Sequence, residues 1–173
     1  LCPPGEEPWV FVDIEGREVP TEAGIFSGRL PGFPARFNQV DASFFEVYQV
    51  PTLIGRGFAA AEPDAVIVNR NFADTIGPGG NALGRRFRYV RAMDGEWRHG
   101  PEPDRWYEVV GVVGNLPVTT DARVAYHPVA PGQIHPANLQ LRLRGSPAGL
   151  AERLRDIAAS VDPALHVDQV RAL

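Results

Sequence analysis

Four histidines, four serines, one cysteine and a glycine-rich stretch are the natural candidates for chemistry in this chain, so their spacing decides whether a site exists. His99, His127, His135 and His166 show neither helical i, i+4 pairing nor the short spacing of a zinc site. Each is expected to be a surface or packing residue, and no metal is expected. Cys2 stands alone, which rules out an intrachain disulfide and any multi-cysteine metal centre. Ser27, Ser43, Ser146 and Ser160 lack the context of a nucleophile elbow, and Ser43 and Ser146 sit where helix caps are expected. The run Gly77-Pro78-Gly79-Gly80-Asn81-Ala82-Leu83-Gly84-Arg85 follows a helical pattern instead of opening one. It also lacks the lysine and hydroxyl of a phosphate loop, and reads as a helix stop and turn.

Charge narrows the choice further. All 17 cationic residues are arginines, so lysine-based Schiff-base and Walker-type chemistry is absent. The pairs Asp104/Glu108 and Glu62/Asp64 read as solvated surface carboxylates. Trp97, Trp106 and Tyr107 flank a polar loop. A base-stacking platform needs a basic groove, which a net charge of −4 does not provide, so nucleic acid is not expected as a partner. Hairpin-end packing or a contact with another chain suits these aromatics better. No catalytic, cofactor-binding or metal-binding residues are predicted, and the chain is not read as an enzyme.

The elements that would position a site are clearer than the site itself. Trp9 to Ile14 and Ala35 to Val40 read as strands. Ser43-Phe44-Phe45-Glu46 has capping-box spacing: the Ser43 hydroxyl is expected to accept from the third helical amide while Glu46 reaches back. Phe44, Val47 and Tyr48 would share one face of that short helix, which Pro51 limits. Ala65-Val66-Ile67-Val68 is a continuous apolar run, as in a strand buried on both faces. Asn69 is placed to cap a following helix carrying Phe72 and Ile76. Arg85 to Val90 and Trp106 to Val113 read as strands joined by a long exposed hairpin loop over residues 91–105. Gly111 and Gly114 suggest a tight exit turn. Leu139, Leu141 and Leu143 alternate with polar residues, the period of a half-buried strand. Ser146 and Pro147 open a predicted amphipathic helix containing Leu150, Leu154, Ile157, Ala158 and Val161, which Asp162-Pro163 ends. Residues 166–170 would return as a strand.

An apolar fraction of 44% over 173 residues supports a folded core without staples. No apolar run of about 18 residues offers a membrane span. With no initiator methionine or signal peptide, the sequence is expected to be a fragment of something longer.

In order along the chain, these segments resemble one family. Val40-Asp41-Ala42-Ser43-Phe44-Phe45-Glu46-Val47, then Pro51-Thr52-Leu53-Ile54-Gly55-Arg56-Gly57-Phe58, is similar to a passage of the MacB-like periplasmic core domains of ABC-transporter permeases. Ala65 to Asn69 and Pro78 to Phe87 match further family segments. So do Tyr107-Glu108-Val109-Val110-Gly111-Val112-Val113-Gly114, Tyr126-His127-Pro128 and Val161 to Leu165. In character the chain is closest to the MacB/FtsX-type duplicated orphan permeases of acidobacteria. The resemblance runs from about residue 12 to the end.

The resemblance implies an α+β fold: a porter-like strand–helix–strand lobe with a smaller α/β lobe of mixed sheet inserted in it. By analogy residues 1–38 and 136–173 form the porter-like lobe and 39–135 the inserted one. It implies a place outside the bacterial cytoplasmic membrane, coupling ATP hydrolysis in a cytoplasmic ATPase subunit or domain to movement or export. The implied partners are the permease's own transmembrane helices, a second permease copy and an extracytoplasmic adaptor, with no cofactor. The alternative is an extracytoplasmic binding module for a lipid, peptide or adaptor protein, for which a defined apolar cleft would speak.

Overall fold

The computed structural model describes residues 7–18, 32–59, 62–90, 102–117, 121–129, 139, 141–143, 146, 149–165, 167 and 170. The chain divides into two compact units, Leu1–Leu139 and Gln140–Leu173.

The first unit contains seven strands: β1 (Trp9–Ile14), β2 (Phe33–Val40), β3 (Thr52–Gly55), β4 (Ala65–Asn69), β5 (Arg86–Val90), β6 (Trp106–Val113) and β7 (Val124–Pro128). Helix α1 (Phe44–Val47) follows β2, and α2 (Arg70–Ile76) follows β4 without a break. β1 pairs antiparallel with β2, and β2 runs parallel to β7. β7 is antiparallel to β4, and β4 parallel to β6. The N-terminal half of β6 then pairs with β5, and β5 returns to β1. Six strands therefore close a ring in the order β1–β2–β7–β4–β6–β5. The short β3 adds to the C-terminal half of β6. Closure satisfies backbone donors and acceptors that an open sheet would leave at its edges.

Period-two alternation sorts the side chains of this ring. Val10, Val12 and Ile14 of β1, Ala35 and Phe37 of β2, Val66 and Val68 of β4 and Phe87 and Tyr89 of β5 join one buried cluster. Tyr107, Val109 and Val112 of β6 and Ala125 of β7 complete the inward set. A register shift opposite Val66/Ile67 skips Val110, so Val109 and Val112 both face inward although three residues apart. Phe72, Ala73 and Ile76 of α2 belong to the same cluster. A second cluster, with Phe44 and Phe45 of α1 against Val40, Ile67, Val113, Val124 and Tyr126, covers the other side of β2, β4, β6 and β7. That double coverage leaves every residue of β4 buried, as its unbroken apolar run predicts.

Asn69 caps α2 as expected: its Oδ1 accepts from the Phe72 amide at 3.1 Å. It does more, because Oδ1 also accepts from the Val124 amide at 2.9 Å and Nδ2 donates to the Ala122 carbonyl at 2.7 Å. The capping box at Ser43 does not form. Ser43 already has helical dihedrals, whereas a capping side chain works from an extended residue. Its amide and hydroxyl both donate to Asp41 Oδ1, at 2.9 and 2.8 Å. Phe44 and Phe45 are the buried pair of α1, and Val47 and Tyr48 are half-buried. Gly111 lies within β6 rather than in an exit turn, because the Arg56 carbonyl approaches too closely for any Cβ. The loop between β5 and β6 falls at residues 91–101 outside the described set, as does Trp97.

The expected lobe boundary at 38/39 falls inside β2. The pairings join Trp9–Ile14 and residues 33–38 to the sheet of the 39–135 segment, since β2 hydrogen-bonds along its length to β7.

In the second unit, α3 (Leu150–Val161) is the one element among the described residues. It opens at Gly149 with φ of 75° and no side-chain cap, so Ser146 lies outside it; Pro147 is not among the described residues. Asp162 ends it as predicted, accepting at Oδ1 from the Ala164 amide at 2.8 Å. Leu141 and Leu143 carry no strand assignment and are exposed, and none of the α3 residues is buried. An alternating pattern becomes a strand only by pairing, and no partner strand is present among the described residues. Most of the predicted returning strand, including His166, lies outside them.

Candidate functional site

The described residues hold no cluster of three or more metal-ligating side chains. Of the predicted chemistry-bearing residues, Cys2, Ser27, His99, His135 and His166 lie outside the described set. His127 is placed, and it lies in the barrel lumen. Its ring is 5.4 Å from Phe37, 5.6 Å from Tyr89 and 4.7 Å from Tyr107, centre to centre. Its Nε2 is 2.8 Å from Tyr89 Oη. With the proton on Nδ1, the tyrosine hydroxyl donates to Nε2. Burial pushes the imidazole down from 6.5 to about 3 and the Tyr89 hydroxyl well above its ordinary value. Tyr107 is also raised, chiefly by burial. A neutral imidazole held against an un-ionised phenol and packed among three aromatic rings is a packing arrangement.

The glycine-rich run does stop α2. Pro78–Gly80 forms one 3₁₀ turn, and Gly79 and Gly80 take φ of 65° and 77°. Together with Glu15, Gly16, Arg17, Asp74 and Arg85 it borders an open cleft. Half of the cleft's lining residues are charged, and its carboxylates are already engaged. Glu15 pairs with Arg86, which holds its carboxyl below the usual range, and Asp74 pairs with Arg70 at 3.2 Å. Arg17 donates to the Thr75 carbonyl, satisfying one of the last backbone acceptors of α2. The candidate pair Glu62/Asp64 also separates into ordinary surface ion pairs, Glu62 with Arg56 at 2.8 Å and Asp64 with Arg105.

Among the described residues of the first unit, no helix residue joins the outward side chains of β1, β5 and the start of β6. Residues pointing outward there come in arginine–aromatic pairs. Arg36 stands 4.6 Å from the Trp9 ring centre, and Arg88 stands 5.0 Å from that of Trp106. Arg88 also bonds Asp13 at 2.8 Å, so β1, β5 and β6 are bridged on their outer face. Trp9 remains 42% exposed. Trp106 and Tyr107, expected to serve hairpin-end packing or a contact with another chain, are divided by the strand, because adjacent strand residues point to opposite faces. Tyr107 packs in the lumen and Trp106 lies outside.

In the second unit the apolar face of α3 is open, with Ile157 55% and Val161 74% exposed. Among the described residues no helix is long and apolar enough to cross a membrane.

Comparison with known proteins accords with these features. The MacB-like periplasmic core domain family matches residues 11–173. No curated protein matches the chain. The periplasmic region of MacB from Actinobacillus actinomycetemcomitans superposes with a TM-score of 0.56 at 12% identity. That match covers 90% of this chain and 64% of the other, so the chain spans less than two thirds of that region. A permease-protein domain from Porphyromonas gingivalis gives a TM-score of 0.52 at 18% identity, covering 91% of this chain and 71% of the other. At such identities the superpositions speak to the fold alone.

Proposed function

Because the chain belongs to the MacB-like periplasmic core domain family, we propose that it is the extracytoplasmic part of an ABC-transporter permease and transmits cytoplasmic ATP hydrolysis to events outside the membrane. The observation that carries this reading is the family match over residues 11–173, and the filled barrel supports it. A closed, densely packed ring resists shear and moves as one body, which suits a part that passes on motion. In this reading the domain is not an enzyme: its one described histidine is locked in packing, and the carboxylates of its cleft are paired with the neighbouring Arg86 and Arg70. Its partners are the permease's transmembrane helices, a second permease copy, an extracytoplasmic adaptor and, indirectly, the cytoplasmic ATPase. In this reading residues 1–38 and 136–173 belong to the porter-like lobe and 39–135 to the inserted one, with β1 and β2 hydrogen-bonded into the sheet of the inserted segment. Half of the residues lining the open cleft are charged, so it is not the defined apolar cleft that a lipid- or peptide-binding module would use.

The test is made in the full-length permease with its ATPase, reconstituted in vesicles. Residues 7–129 are replaced by a short Gly/Ser linker. Transport is expected to be lost while ATP hydrolysis continues. Undiminished transport would overturn the coupling role, and saturable ATP or ester hydrolysis by the isolated chain would overturn the non-enzymatic reading.

A further inference from the structure

In the ring β1–β2–β7–β4–β6–β5, β7 and β5 stand three strands apart in either direction. They are diametrically opposite, and His127 on β7 reaches Tyr89 on β5 across the lumen at 2.8 Å. This is a contact between strands that share no backbone hydrogen bonds. We propose that the pair forms an acid-labile latch: it bridges opposite walls of the barrel, and the lumen accepts its imidazole only while that ring is neutral. The inference is independent of the coupling role and holds whichever partners the domain serves.

The surroundings of His127 decide what protonation does. β2 contributes Phe37, β5 contributes Tyr89 and β6 contributes Tyr107. The inward residues of β1 and β4 are Val10, Val12, Ile14, Val66 and Val68, and α2 adds Phe72 and Ile76. No carboxylate is among these inward residues. Arg105, 5.9 Å from the Tyr107 ring centre, is committed to Asp64 and Glu102. The Tyr89 hydroxyl can rotate to accept from a protonated Nε2, so the hydrogen bond alone does not oppose protonation. What opposes it is a charge enclosed by three rings, with no carboxylate among the inward residues described.

The sign follows from the direction of the shift. The folded pKa lies below the unfolded one, so the unfolded chain binds the extra proton. Stability is complete above about pH 6.5 and is lost as pH falls toward 3. Between pH 7 and pH 5 this one group lowers the folding equilibrium constant roughly 25-fold.

Urea unfolding of the full chain at pH 7 and pH 5, followed by tryptophan fluorescence, tests the latch alongside His127→Gln. The amide stays neutral and can still accept from Tyr89. The wild type is expected to lose about 25-fold more in its folding constant than the variant over this interval. Equal losses would overturn the proposal. If His127→Gln does not fold, NMR titration of the wild-type imidazole decides: a ring still neutral at pH 4.5 supports the latch, and titration near 6.5 overturns it.

Discussion

Replacing Asn69 separates two roles that one side chain combines. As a helix cap alone it would be worth about 1 kcal/mol, the ordinary cost of an Asn→Ala change at that position. Here its amide also holds Val124 and Ala122, at the start of β7 and just before it, at 2.9 and 2.7 Å. Asn69→Ala therefore leaves the buried Phe72 and Val124 amides without this acceptor, at roughly 1–3 kcal/mol each. The Ala122 carbonyl is spared the full penalty, because Asn71 Nδ2 also donates to it at 3.4 Å. The expected loss is about 3–4 kcal/mol. Asn69→Asp makes the distinction sharper. Aspartate caps helices as well as asparagine, so a pure cap role predicts no change. In the clamp it retains both acceptor bonds but turns a carboxylate oxygen toward the Ala122 carbonyl, and a loss of about 2 kcal/mol is expected. All three tryptophans lie in the first unit, so urea unfolding by tryptophan fluorescence reports on it directly. A loss near 1 kcal/mol for Asn69→Ala, with Asn69→Asp unchanged, would refute the clamp.

Gly111→Ala is expected to cost at least 1–3 kcal/mol, because its methyl would overlap the Arg56 backbone. Gly114→Ala, whose methyl would meet nothing nearer than 3.5 Å, should fall within about 0.5 kcal/mol of wild type in the same assay. A double-mutant cycle on Arg88→Ala and Trp106→Ala should return a coupling of about 0.5–1 kcal/mol, the scale of a partly exposed cation–π contact. Ile157→Glu, at an exposed position of α3, should leave the tryptophan-reported midpoint within about 0.5 kcal/mol of wild type.

Local signals survived into the fold wherever the residue's own backbone conformation carried them. The apolar run Ala65–Val68 became the strand buried on both faces, and Asn69 capped α2 because its extended dihedrals set the side chain over the first turn. Asp162 ended α3 for a similar local reason. The capping box at Ser43 failed because motif spacing says nothing about ψ, and Asp41 took the hydroxyl instead. The family and the α+β class were legible in the order of the segments, since each carries a run of side-chain sizes that the packing requires. Tertiary structure alone decided the closure of the ring: β5–β6 is the hairpin the sequence suggests, but β5–β1 joins strands far apart in sequence. Closure put His127 opposite Tyr89 and made a histidine without sequence context a group on whose neutrality the lumen depends. It also put β1 and β2 in one sheet with strands of the 39–135 segment. Hydrogen-bond partners between distant strands are chosen by the whole set of registers, and no local pattern specifies them.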